Sequence, residues 1–294
     1  MQEKEEDGGL KYGFGYDCPL RKGTFEYCRN IAGGSLTAAS LLCQGKYQVA
    51  VHWMGGWHHA LKDCASGYCY VNDIVLSILR LSHNFKRVLY IDVDVHHGDG
   101  VERAFAATDR VLTFSAHHAT PGFFPGTGNL EDVGVGKGKF YSVNLPLKEG
   151  ARDDVFKAIV KKALLVVREK FRPDAVVFQA GCDGLNGDPM KVLNLTPNSL
   201  ISVLKFVLKW EIPTLVLGGG GYHEANAAKC WCRMTAAVAD VELEGEIPEH
   251  EYFAEYGPAF EFEHEESGRK DLNTFAYLEE VIAKIRNNLS NIQK

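Results

Sequence analysis

Short runs of β-branched and aliphatic residues alternate along this chain with longer stretches whose apolar positions recur every three or four residues. Residues 47–53 (YQVAVHW), 87–93 (RVLYIDV), 110–115 (RVLTFS), 141–145 (YSVNL), 175–179 (AVVFQ) and 214–217 (TLVL) are predicted as strands. Several are apolar almost without interruption, as strands covered on both faces should be. Residues 72–82, 151–171, 197–210 and 225–238 carry helical periodicity, and residues 275–292 read as a closing helix. This alternation predicts an α/β fold, a mostly parallel sheet with helices on both faces. Residues 242–270 are acidic and irregular and are expected to form a surface excursion. No repeat and no long linker divides the chain, so one domain over residues 1–294 is expected.

In open α/β sheets, ligands bind beyond the carboxyl ends of the strands. The first predicted strand is followed by Gly55-Gly56-Trp57-His58-His59, and the second by Asp94-Val95-His96-His97-Gly98-Asp99-Gly100. Gly181-Cys182-Asp183 follows the fifth, and four glycines and Tyr222 follow the sixth. Polar residues and glycines from distant segments therefore gather at one end of the sheet.

Residues two apart on an extended strand share a face, so Asp92, Asp94 and His96 point one way if extension continues that far. Asp94 and His96 suit a divalent metal, and Asp183 is the best candidate for a third ligand. Three protein ligands and an open position make a catalytic rather than a structural zinc pattern. The alternative is that these side chains only hydrogen-bond loop backbone. The His58-His59 pair could supply the base and the acid that metal-assisted hydrolysis needs, because imidazole titrates near neutrality. Each imidazole then needs an orienting carboxylate, and Asp92 is assigned to His58 and Asp99 to His59. The other possibility is that one of the pair is structural. Residues 218–221 lack the GKS/GKT ending of a phosphate loop and the spacing of a dinucleotide fingerprint. They could let backbone pass close to a ligand and aim the Tyr222 hydroxyl at a developing oxyanion, or Tyr222 could be structural. Phe123, Phe124 and Tyr68 lie beside glycines, and two facing rings would make a slot for an extended aliphatic chain.

Composition narrows the classes. The chain has 294 residues, 32 Lys plus Arg against 38 Asp plus Glu, and a net charge of -6. That balance argues against broad nucleic-acid binding. Eight cysteines without a CxxC pair fit neither a disulfide scaffold nor a zinc finger. Cys230-Trp231-Cys232 is expected to pack inside a helix. The charged start has no signal-peptide pattern and no apolar run approaches a membrane span, so a reduced intracellular protein without membrane contact is expected.

GGWHHA, IDVDVHHGDG, PGFFPGTG, GCDGLNGDP and LGGGGY, in this order, resemble the class I zinc-dependent histone deacetylases from about Lys11 to the C-terminus. The resemblance implies the arginase–deacetylase fold and hydrolysis of Nε-acetyl-lysine, with release of acetate. It implies zinc held by Asp94, His96 and Asp183, with Fe2+ or Co2+ as possible substitutes for zinc in the family. It implies His59 as general base and acid, His58 as its electrostatic neighbour, and Tyr222 as the phenol that polarises the acetyl carbonyl. Tyr68 and Phe124 match the tunnel walls, with Gly67 nearby. Met190 matches a substrate contact and Asp17 the rim carboxylate. Structural K+ is implied at two sites, one at Asp92, Asp94, His96, Ser115 and Ala116, the other at Phe105, Thr108, Val111 and Tyr141. Cys18 and Cys69 match a redox pair. The implied partners are acetylated histones and other acetyl-lysine proteins, such as a cohesin subunit, in nucleus and cytoplasm. An acidic start, residues 1–10, stands where the family has a strand, a loop and helices, so a tunnel lacking one wall and an inner arginine is expected. A truncated, weakly active isoform acting by binding, or an acetylpolyamine amidohydrolase, are the alternative readings. His117-His118-Ala119-Thr120 is expected as a loop that alters the rim charge.

Overall fold

The computed structural model describes residues 9–292, so residues 1–8 of the acidic start lie outside the described residues. Six strands form one sheet: β1 (Val49–His52), β2 (Val88–Asp92), β3 (Val111–His118), β4 (Ser142–Leu147), β5 (Ala175–Gln179) and β6 (Thr214–Leu217). Their order is β1-β6-β5-β2-β3-β4 and every pairing is parallel. The helices are α1 (Thr24–Cys43), α2 (Asp73–Leu81), α3 (Asp99–Phe105), α4 (Asp153–Phe171), α5 (Pro197–Leu208), α6 (Glu224–Ala239) and α7 (Phe275–Leu289).

The continuous apolar runs divide by strand period. Leu89, Ile91, Leu112, Phe114, Val176, Phe178 and Val216 pack on one face, with side chains of α4, α5, α6 and α7. Val88, Tyr90, Val111, Val177, Leu215 and Leu217 pack on the other, with α1, α2 and α3. Each large aliphatic or aromatic side chain so buried contributes about 1.5–3 kcal/mol. Fold class and strand positions are as the sequence predicts, but two helices are additions. In α1 the buried positions are Ile31, Ala32, Ser35, Ala38, Ala39 and Leu42, and their small residues blur the hydrophobic period. Gly33 and Gly34 interrupt it further, yet a Cβ at Gly34 would come within 2.5 Å of the His52 ring. Helix α3 begins inside the His-Gly-Asp-Gly motif, whose glycines conceal it. Residues 242–270 hold one short 3-10 turn, Phe253–Tyr256, and an isolated antiparallel bridge between Glu246 and Glu261, as the expected excursion.

From β2 the chain moves outward through β3 to β4, then returns to place β5 on the other side of β2. The two adjacent strands therefore send their following connections in opposite directions, which opens a crevice at their carboxyl ends. Asp92 ends β2 and Gln179 ends β5, directly opposite in register.

Candidate active site

Beyond that crevice, ligand atoms of Asp94, His96 and Asp183 lie within 4.8 Å of one another, and all three residues are buried. Strand β2 stops at Asp92, so Asp94 and His96 are delivered by the loop that follows rather than by continued extension. Neutral groups fix their orientation. Gln179 Nε2 donates to Asp94 Oδ2 at 2.9 Å, and the Gly220 amide donates to the same oxygen at 2.8 Å. The Val95 amide donates to Asp183 Oδ1 at 2.8 Å. A Cβ on Gly220 would lie 2.2 Å from Asp183 Oδ2, so this approach requires glycine. His96 Nδ1 sits 2.9 Å from Asp183 Oδ2 and 3.1 Å from Asp94 Oδ1. Burial disfavours its charged form, but the two carboxylates outweigh burial and lift its pKa to about 10. Burial, then the charge of Asp94, pushes Asp183 up to about 7. The two buried acids thus share the His96 imidazolium, and His58 adds positive charge 3.8 Å from Asp94. A divalent ion fits that donor set, since it would replace the proton and be held by one nitrogen and two carboxylates. Among the described residues, no other group of three such side chains is placed to hold an ion.

The histidine pair stands on the loop after β1. His58 Nδ1 is 2.8 Å from Asp92 Oδ2, and His59 Nδ1 is 2.7 Å from Asp99 Oδ1. Their ring centroids are 4.0 Å apart. Burial opposes charge on His58, but Asp92 and Asp94 prevail and raise it to about 9. Burial, then the charge of His58, pushes His59 down to about 4, against the pull of Asp99. Two adjacent imidazoles are therefore tuned in opposite directions.

The start of α2 pins this loop. Asn72 Oδ1 accepts from the Val75 amide at 3.0 Å, while its Nδ2 donates to the Ala60 carbonyl at 2.9 Å and the His58 carbonyl at 3.3 Å. Asp73 accepts from the Gly56 and Trp57 amides and from the Ser35 hydroxyl. Gly56 has φ +106, and a Cβ there would meet the Gly218 carbonyl at 2.2 Å, so the two glycine loops cross in contact. Asn72, Asp73, Gln179 and Asp188, which accepts from the Tyr222 amide at 2.8 Å, escape the sequence reading. Asn72-Asp73 reads there as an ordinary helix start, and Gln179 as the end of a buried strand.

Aromatic rings enclose the approach. A cavity of about 400 Å³ is lined by Asp17, His59, Gly67, Tyr68, His96, Phe123, Phe124, Met190 and Tyr222. A deeper one of about 190 Å³ adds His58, Cys69, Asp94 and residues 219–221. The His59 ring meets Phe124 edge-on at 4.8 Å, His96 stacks on Phe123 at 5.1 Å, and Tyr68 meets Tyr222 at 6.0 Å. The Gly67 amide donates to Asp17 Oδ2 at 2.6 Å. Burial, then Asp183 and Asp94, holds the Tyr222 phenol well above its ordinary pKa, so it keeps its proton. A larger cavity of about 660 Å³ between α2 and α3 is lined by none of these side chains.

The remaining expected residues are placed as follows. Ser115 is the register partner of Asp92, so the first K+ set surrounds the end of β2. Phe105, Thr108 and Val111 lie between the end of α3 and the start of β3, and the Tyr141 carbonyl accepts from the Thr113 amide at 2.9 Å. The Cys18 thiol donates to the Cys69 carbonyl at 3.8 Å, both as free thiols. Cys230 is buried in α6, whereas Cys232 is exposed and does not pack. The expected rim loop at His117 and His118 is corrected. Both belong to β3 and are buried, so neither contributes rim charge.

A buried two-carboxylate, one-imidazole centre beside a tuned histidine pair, on an all-parallel sheet, defines a metal-dependent hydrolase of the α/β class. Residues 1–238 match the histone deacetylase domain. The chain is 49% identical to histone deacetylase 8 of Xenopus laevis over 290 residues, which cover 99% of this chain and 89% of that protein. It is 49% identical to histone deacetylase 8 of Danio rerio, covering 99% of this chain and 77% of that protein. Identity to human histone deacetylase 1 is 47%, over 95% of this chain and 58% of that protein. The chain belongs to the histone deacetylase family, whose membership carries a catalytic metal and the arginase–deacetylase fold.

Proposed function

We propose that this protein hydrolyses the Nε-acetyl amide of lysine in histones and other proteins, with Asp94, His96 and Asp183 holding zinc. The observation that carries the reading is the opposite tuning of His58 and His59 beside that three-donor centre, at the floor of an aromatic tunnel. Asp94, His96 and Asp183 would hold the ion, which would supply positive charge to polarise the acetyl carbonyl. His59 is neutral at pH 7 and gives its Nδ1 proton to the bond with Asp99, leaving Nε2 to take a proton from water. The same nitrogen then returns that proton to the departing amine. His58, charged beside Asp92, keeps the floor positive as negative charge develops on the substrate. Tyr222, a phenol at neutral pH, donates to the oxygen that becomes the oxyanion.

The rings of Tyr68 and Phe124, with Met190, enclose the lysine side chain, each methylene gaining about 0.8 kcal/mol on burial. Asp17, fixed by the Gly67 amide, receives the substrate backbone at the rim. K+ occupies the two sets around Asp92 and Phe105 in a structural role. Residues 1–294 act as a single catalytic domain. The family points to acetylated histones and a nuclear site of action. A cohesin subunit as substrate and a cytoplasmic pool extend that reading, as does Fe2+ or Co2+ in place of zinc. No helix among the described residues is long and apolar enough to cross a membrane.

The test is acetate release from an acetyl-lysine peptide by zinc-loaded protein, with Tyr222→Phe as control. The expected result is turnover that falls about 10²–10³-fold in Tyr222→Phe, with zinc content unchanged. Absence of acetate release by folded, zinc-replete protein overturns the reading.

A further inference from the structure

Asp188 is buried, at 2% exposure, and has no cationic side chain as partner among the described residues. Backbone amides satisfy it instead. Oδ1 accepts from the Met190 amide at 2.8 Å, within its own turn. Oδ2 accepts from the Tyr222 amide at 2.8 Å, across a sequence separation of 34. The neighbouring His223 amide also favours its charged form. Burial pushes the carboxyl above its ordinary value and the three amides offset part of that, as charge-assisted hydrogen bonds do.

The chain around Tyr222 needs such an anchor. Four glycines precede it, the residues with the greatest backbone freedom. Gly220 is held by Asp94 and by the Cys182 amide, which donates to its carbonyl at 2.7 Å. Beyond Gly220, helix α6 starts only at Glu224. Between those fixed points, the Asp188 carboxylate is what receives the Tyr222 amide. Its other oxygen meanwhile fixes Met190, which lines the same cavity as Tyr222.

We propose that Asp188 is a positioning residue that clamps the tunnel wall at Met190 to the Tyr222 loop, so that one carboxylate sets both the tunnel lip and the reacting phenol. This inference depends on the role of Tyr222 proposed above. A displacement of about 1 Å in a reacting group can cost about 10²-fold in rate, so loss of the clamp is read in kcat.

The test uses the full chain loaded with zinc, in Asp188→Asn and Asp188→Ala, each alone and combined with Tyr222→Phe. Asparagine is isosteric but offers only one accepting oxygen, so one loop loses its acceptor. Thermal melting checks that each variant folds. The expected result is a kcat about 10- to 100-fold lower in Asp188→Asn, and little further loss when Tyr222→Phe is already present. An equal fold-loss in both backgrounds marks a merely structural role and overturns the proposal. Amide hydrogen exchange provides a second readout without turnover. Protection of the Met190 and Tyr222 amides is expected to fall together in Asp188→Ala, and unchanged protection at Tyr222 overturns the clamp. If the unsubstituted protein releases no acetate, the reaction reading fails, while the exchange result still decides whether the clamp exists.

Discussion

Two groups of histidines lie close together in this molecule, and they do different things. His58, His59 and His96 surround the floor of the tunnel. His97, His117 and His118 lie behind it, on and beside β3. Both groups are buried and both bring rings into contact, at 4.0 Å for His58 and His59 and 4.7 Å for His97 and His117. The partners differ, apart from His97, whose Nε2 meets Glu102 at 3.2 Å. Carboxylates receive the first group, at 2.7–2.9 Å for the pairs with Asp99, Asp92 and Asp183. In the second group, His117 Nε2 donates to the Gly128 carbonyl at 2.9 Å, and His118 Nδ1 donates to the Leu147 carbonyl at 3.0 Å. Burial pushes both of those imidazoles down, with nothing strong enough to reverse it. In the first group carboxylates and neighbouring charges drive His58 and His96 up while His59 goes down. A buried histidine becomes a reactive group when its partner is a charge and its free nitrogen faces a cavity. His117 and His118 are held structurally, with neutral acceptors and donors on both nitrogens, whereas His97 has Thr127 on one nitrogen and Glu102 on the other, so no nitrogen is left to face a cavity.

Three experiments would break or sharpen this contrast, in decreasing order of effect. His59→Ala removes the proton carrier and is expected to lower kcat by about 10²–10⁴-fold in steady-state assays of acetate release. A loss below tenfold would place the base elsewhere. His117→Ala is expected to leave the turnover number close to that of the unsubstituted protein. It should cost about 1–3 kcal/mol of stability in urea unfolding, because the Gly128 carbonyl loses its buried donor. A collapse of turnover at unchanged stability would put His117 in the chemistry.

The smallest effect is a pair of opposite pH slopes in chelator-treated protein. His117 and His118 have lowered pKa values, so they bind fewer protons when folded. Their contribution to stability is present above the unfolded value, about 6.5, and is lost as pH falls below it. His58 is raised to about 9, so its contribution is present below about 6.5 and is lost as pH rises through 9. Urea midpoints should therefore decline on both sides, and His117→Ala should flatten only the acid side. Flattening of the alkaline side by that substitution would contradict the assignment of His58.

Much of this architecture can be read from the residues. The runs at 175–179 and 214–217 are strands at those same bounds, because continuous β-branched residues fit a sheet covered on both faces. The ends of β2 and β5 can likewise be placed, since their acids and glycines mark the crevice. Helix α1 cannot be read in this way. Between Ile31 and Leu42 its contact face is built from alanine and serine, which carry little hydrophobic signal. The β3 histidines mislead for the opposite reason. Imidazoles look like a loop until neighbouring carbonyls satisfy them, which allows the strand to run on to His118.

The sequence by itself determined the fold class, the positions of the strands and the residue types gathered at one end of the sheet. Those follow from local periodicity and from chemistry that short motifs carry. The pairing of Asp92 with His58 and of Asp99 with His59 is expected from the residues, and the structure brings those atoms to 2.8 and 2.7 Å. Only the tertiary structure decided that Asn72 and Asp73 hold the histidine loop, and that Asp188 ties Met190 to Tyr222. The physical reason is that pKa and orientation depend on distances of a few ångströms between residues far apart in the chain. Periodicity records which face a side chain takes, but not which distant group it meets there.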